Sequence, residues 1–114
     1  MLVRAAVAAP VDETRVLRIG VPRNSPPLSF IDDSGAPTGF TPDLLRVAAE
    51  AGGLRFELEA NWWSRLSRDF LAGRLDALAL VSDMDELLPL VDISIVHTTI
   101  RGVTYTREGQ PPLR

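Results

Sequence analysis

The sequence predicts an α/β fold in three layers, with a mostly parallel central sheet and helices on both faces. Three observations predict it. Extended apolar runs at residues 16–21, 54–58 and 75–81 alternate with two segments of helical periodicity, the order that builds successive strand-helix-strand units. The run at 75–81 is nearly continuous in apolar character, as a strand covered on both sides requires. The chain has 114 residues, enough for one core without staples, and no cysteine that could form a disulfide or a thiolate metal site.

Residues 1–15 read as a flexible leader or a signal-peptide remnant. Ala6-Val7-Ala8 has the small-residue form of a cleavage site, behind an apolar stretch too short to span a membrane. The strand at 16–21 is forced to end by Pro22, Pro26 and Pro27. Short extended arms at 28–31 and 38–40 flank Asp32-Asp33-Ser34-Gly35, a turn in which Gly35 can take positive φ. Thr41 is the expected N-cap of the first helix, with Pro42 at its first position and Asp43 complementing its positive end. Leu44, Leu45, Val47, Ala48 and Ala51 share the expected buried face, and Gly52-Gly53 ends the helix.

A strand at 54–58 buries Leu54, Phe56 and Leu58 on one side. Ser64 is placed to cap the second helix, with Leu66, Phe70 and Leu71 facing inward, Arg65, Arg68 and Asp69 facing water, and Gly73 at C′. After the strand at 75–81, Ser82 starts a short helical turn that Pro89 stops. Extended pieces are expected at 93–96 and 103–106, and 110–114 is a frayed tail or linker, leaving 16–109 as the folded unit.

Several function classes are excluded. The net charge is −3 and the arginines are scattered without a basic stripe, so no nucleic-acid partner is expected. Gly52-Gly53 follows a helix instead of a strand, the reverse of a dinucleotide-binding turn, and no cofactor is expected. His97 is the only histidine, which argues against a histidine-based metal site; without a Gly-x-Ser-x-Gly elbow it reads as structural. Asp32 and Asp33 read as turn residues instead of an acid and base pair.

The ordered set Pro26-Pro27-Leu28-Ser29-Phe30, Asp33-Ser34-Gly35, Gly39-Phe40-Thr41-Pro42-Asp43, Trp63, Leu71-Ala72-Gly73-Arg74-Leu75-Asp76-Ala77 and Val91-Asp92-Ile93-Ser94 resembles the amino-terminal lobe of type 2 extracytoplasmic solute-binding proteins, the polar amino-acid binding family. The likeness covers residues 16–109. It implies a periplasmic binding protein type 2-like lobe, a periplasmic or otherwise extracytoplasmic location, and binding or sensing of a small polar, amino-acid-like solute. It implies a membrane permease of an ABC transporter or a sensor kinase as partner, and no enzymatic activity. The alternatives are an enzyme on the same scaffold, resembling cyclohexadienyl dehydratases, and a vestigial interaction module. The resemblance places the crossing to a second lobe at 103–106. With that lobe's returning strand missing, an open sheet edge and apolar face are expected to drive a homodimer or strand exchange.

Ligands of open α/β sheets collect beyond the carboxyl ends of the strands, where the loops at 22–30, 61–64 and 82–85 should converge. The expected ligand-binding residues are Ser25, Phe30, Trp63, Ser82, Asp83 and Met84. A Trp63 face can stack on a cationic or flat ligand. Trp62 and Trp63 are adjacent and must point to different sides, so one is expected in the core. By the resemblance, Ser25 stands where the family carries an aromatic residue, and Leu87 where amino-acid binders carry a carboxylate-binding arginine. Arg23 and Arg101 are the weaker candidates for supplying that charge from elsewhere. Asp83, Asp85 and Glu86 favour their own helix end and oppose an anion there.

Overall fold

The computed structural model of the chain describes residues 2–5, 14–81 and 88–111. Its elements are β1 (Leu2–Ala5), β2 (Val16–Pro22), β3 (Asn24–Ser25), β4 (Ser29–Ile31), β5 (Pro37–Thr38), α1 (Phe40–Gly52), β6 (Arg55–Asn61), α2 (Trp63–Leu71), β7 (Ala77–Ala79) and β8 (Val91–Ile93), with one 3₁₀ turn at Leu88–Leu90. The main sheet has five strands in the order β6-β2-β7-β1-β8; β3-β4-β5 form a small antiparallel sheet. β2 runs parallel to β6 over the whole register from Val16↔Arg55 to Pro22↔Asn61, and parallel to β7.

β2 connects outward to β6 through α1, and β6 returns past β2 to β7 through α2. Right-handed crossovers in opposite directions put the two helices on opposite faces of the sheet. The core divides in the same way. Leu66 and Phe70 of α2 pack with Leu75, Leu78, Val81 and Val91. A second cluster, Ile19, Val21, Ala77 and Ala79, takes in Leu45 of α1 together with Leu17, Phe56, Leu58 and Ala60. Within β7, Leu78 belongs to the first cluster and its neighbours to the second, as strand alternation dictates. The predicted three-layer, mostly parallel fold is therefore present.

Gly20 lies under α2. A Cβ there would stand 2.9 Å from side-chain carbons of Leu66, Leu75 and Leu78, so this glycine sets how closely the helix approaches the sheet. Gly39 has a different task. With φ at 120° it serves as the N-cap of α1, and an added Cβ would lie 2.7 Å from the Leu28 carbonyl oxygen.

The caps differ from expectation. α1 begins at Phe40 without a side-chain cap, because the Phe40 and Thr41 N–H groups donate to the Pro27 and Leu28 carbonyls at 3.1 and 2.8 Å. Loop backbone does the work assigned to Thr41, whose side chain is buried instead. Likewise Trp62, and not Ser64, is the N-cap of α2, again without a side-chain bond. On α1 only Thr41, Pro42 and Ala49 are fully buried, and Val47 is 64 % exposed. Ala48 and Ala51 carry too little apolar surface to fix the helix's rotation. Leu71 is exposed, whereas Asp69, expected in water, is buried. It accepts from Arg65 Nε at 2.9 Å and Arg74 Nε at 3.1 Å, two guanidiniums that replace its hydration.

β1 falls in the stretch read as a leader. It inserts antiparallel between β7 and β8, pairing Leu2 with Ala79 and Val3 with Ile93. Its place comes from backbone hydrogen bonding to two facing strand edges, a demand that any short extended segment can meet and that periodicity does not encode. At the other end β8 stops at Ile93, and the extended pieces expected at 93–96 and 103–106 are not strands beyond that residue. β-branched composition alone does not make a strand without a neighbour to pair with. Ile95 and Tyr105 are 88 % and 90 % exposed.

Candidate functional site

β2, β6 and β7 all point their carboxyl ends to one edge, where their backbones stop pairing at Pro22, Asn61 and Ala79. Loops leave the sheet here, so backbone and side-chain groups are available to a ligand. The first loop is tied down at several points. The Ser29 hydroxyl, fully buried, donates to the Pro22 carbonyl at 2.6 Å, and the Leu28 N–H donates to Ser25 O at 2.8 Å, closing the turn that contains the cis Pro26–Pro27 bond. The hairpin beyond it turns on Asp32, whose Oδ1 accepts from the Ser34 N–H, the Ser34 hydroxyl and the Ala36 N–H. These bonds, the Ser34 hydroxyl foremost, hold the Asp32 carboxyl below its ordinary value. Asp32 is a turn residue, as its sequence position suggested.

A cavity of about 470 Å³ opens at this edge, lined by Ser25, Leu28, Leu80, Val81, Val96, Thr98, Thr99 and Ile100. Its size lies in the range of about 300–1,000 Å³ typical of small-molecule sites. Hydrocarbon supplies most of the wall, and three hydroxyl groups can orient a polar guest. Among the described residues the wall has no carboxylate, imidazole or guanidinium. Leu80 adopts φ of 61°, the left-handed region that disfavours a branched side chain by about 1–2 kcal/mol. Strained residues of this kind concentrate where a chain must turn sharply at a site.

Of the expected ligand-binding residues, Ser25 lines the cavity. Phe30 does not; it sits half-buried in the middle strand of the small sheet, opposite Asn24 and Thr38. Trp63 opens α2 and is 43 % exposed, and Trp62 is 55 % exposed, so neither tryptophan is in the core. The surface keeps Trp62 because Arg23 covers its ring, with the guanidinium carbon 5.2 Å from the ring centroid. Ser82, Asp83 and Met84 lie outside the described residues, as do Asp85, Glu86 and Leu87.

The sequence reading missed Leu80, Val81 and the stretch from Val96 to Ile100. Leu80 and Val81 looked like ordinary strand residues, and 96–100 like the continuation of an extended piece. Half-buried His97 lies among them without lining the cavity, and burial pushes its imidazole below its usual range. Among the described residues no group of three His, Asp or Glu side chains could hold a metal ion. No helix among them is long and apolar enough to cross a membrane.

The model of the family described as bacterial extracellular solute-binding proteins, family 3, matches residues 17–113. The chain is 33 % identical over 109 residues to a probable amino-acid ABC transporter-binding protein of Haemophilus influenzae, covering 95 % of this chain and 42 % of that protein. It is 26 % identical over 102 residues to a cyclohexadienyl dehydratase of Pseudomonas aeruginosa, covering 89 % and 35 %. Among solved structures it is similar to a histidine kinase sensor domain that itself resembles periplasmic binding proteins. That likeness has a TM-score of 0.57 and 35 % identity, over 60 % of this chain and 30 % of the other. The chain thus spans less than half the length of the curated relatives it matches.

Proposed function

Because the chain belongs to the bacterial extracellular solute-binding proteins of family 3, we propose that it is one lobe of a clamshell receptor for a small polar, amino-acid-like solute, acting outside the cytoplasm. Its partner is a membrane permease of the ABC type or a sensor kinase, in keeping with the two kinds of protein it resembles. The observation that carries this reading is the cavity at the carboxyl edge, with apolar walls and the hydroxyls of Ser25, Thr98 and Thr99. Such walls bind and orient; proton transfer would need an ionisable group, and among the described residues the wall offers none. A lobe makes only part of the contacts of a closed clamshell, so this chain by itself binds weakly.

The test is a titration with a panel of amino acids at about 10 mM, read residue by residue from amide chemical shifts. Shifts confined to residues 23–30, 61–64, 80–81 and 96–100 support the reading. Shifts at the opposite edge, around residues 54–55 and 72–76, contradict it. The likeness to a cyclohexadienyl dehydratase supports a second reading, an enzyme on the same scaffold. Formation of an aromatic product from a cyclohexadienyl substrate by the purified chain would establish that reading and displace the first.

A further inference from the structure

β8 lies at one end of the main sheet, and the chain beyond it leaves the body of the fold. From Ser94 to Arg107 it is neither helix nor turn; a turn in which the Gln110 N–H donates to the Arg107 carbonyl at 3.0 Å ends the run. Residues 99–110 are all exposed, and between Thr98 and Thr106 no backbone group bonds to the backbone of another described residue. The radius of gyration is 16.4 Å, against about 13 Å for a compact chain of similar length, and the long dimension is 60 Å.

This run has the composition of a strand without a strand's neighbour. Nine of the twelve residues 95–106 are Ile, Val, Thr or Tyr, and Arg101 is the only charged one. By strand alternation Val96, Thr98 and Ile100, which line the cavity, share one side. Ile95, Val103 and Tyr105 share the other and are 88 %, 69 % and 90 % exposed. The free edge of β6, at the opposite end of the sheet, differs. Arg55 and Glu57 stand exposed on it and Glu59 pairs with Arg18, charges that keep an edge single.

The run is complementary to itself. Aligned antiparallel with a second copy about a twofold axis at Ile100, it sets Ile95 opposite Tyr105, Val96 opposite Thr104 and Thr99 opposite Arg101. The two most exposed large apolar side chains among the described residues then meet as a β-branched and aromatic pair, and no charge faces its like. Centring one residue later would oppose two Arg101 guanidiniums. Twelve residues span about 40 Å as a strand. Pairing them covers about 600 Å² per copy, the lower end of specific interfaces.

We propose that residues 95–106 form the interface of a twofold homodimer, in which the runs of two copies pair as antiparallel strands centred on Ile100. The pairing goes beyond solute binding and does not depend on it, although it would fix the run whose other side walls the cavity.

The experiment measures the mass of the 114-residue chain by sedimentation equilibrium from about 1 to 500 µM, the range an interface of this size calls for. The mass should rise from 12.5 kDa to twice that value and no further. Ile95→Lys and Tyr105→Glu should each weaken association at least about tenfold. Combined, they should recover most of it, because opposite charges then face each other at both ends of the ladder. Val47→Lys, at an exposed apolar position on α1, should associate as wild type. Amide spectra unchanged over residues 16–81 establish that each variant is folded. A mass that stays at that of one chain, or that grows past two, overturns the proposal. Association untouched by Ile95→Lys and Tyr105→Glu overturns it as well, and a double variant no tighter than the singles overturns the centring on Ile100.

Discussion

Replacing Leu66 by alanine and adding a methyl at Gly20 probe the same few ångströms of the core from opposite sides. Leu66 is fully buried within the cluster of Phe70, Leu75, Leu78, Val81 and Val91, and removing most of its side chain leaves a cavity worth about 3–4 kcal/mol. Gly20→Ala places a Cβ 2.9 Å from Leu66 Cδ2, Leu75 Cδ1 and Leu78 Cδ2, an overpacking that costs about 1–3 kcal/mol. In the double variant the new methyl enters space that Leu66 has vacated, although the contacts with Leu75 and Leu78 remain. The two changes should therefore couple by about 1 kcal/mol or more, leaving the double variant more stable than the sum of the singles implies. Thermal unfolding followed by far-ultraviolet circular dichroism reads the effect at about 4 °C per kcal/mol for a chain of this length. Additive losses would refute the packing of α2 over Gly20 and, with it, the placement of that helix on β2.

Other outcomes follow from single residues. The Asp69 carboxyl is held below its ordinary 3.8 chiefly by its hydrogen bond from Arg65, with Arg74 adding and burial opposing. Its stabilisation is thus complete above about pH 4 and is lost as pH falls through the lower folded value; Asp69→Asn should flatten that acid limb in urea titrations, leaving the part due to Asp32. The Thr41 hydroxyl is buried without a partner among the described residues, so Thr41→Val should raise stability by about 1 kcal/mol, visible as a higher urea midpoint with an unchanged slope.

The fold was legible where burial on both faces leaves a mark on composition. The apolar run around Leu78 and the alternation of Phe56 and Leu58 announced two strands of a parallel sheet, and the prolines after Val21 announced the loop that carries Ser25. Elements fixed by backbone bonding alone were not legible. β1 fills a gap between two strand edges, α1 is capped by the carbonyls of Pro27 and Leu28, and neither event depends on a residue type that stands out. Asp69 was misread because helical periodicity shows which face a carboxylate occupies but not that two arginines will follow it inward. At the cavity, the carboxyl-edge rule led to Ser25 on the wall, with Arg23, Trp62 and Trp63 at the same edge of the sheet. It could not foresee the left-handed turn at Leu80 or the return of residues 96–100 across the cavity, since both depend on long-range packing.

All of this depends on three strands running in one direction and opening their carboxyl ends together. Interstrand nuclear Overhauser contacts in the isotope-labelled protein measure it directly. The parallel register predicts contacts between Ile19 and both Leu58 and Ala77, and between Pro22 and Asn61 at the end of the ladder. Antiparallel contacts between β2 and β6, joining Val16 to Asn61 and Pro22 to Arg55, would contradict it.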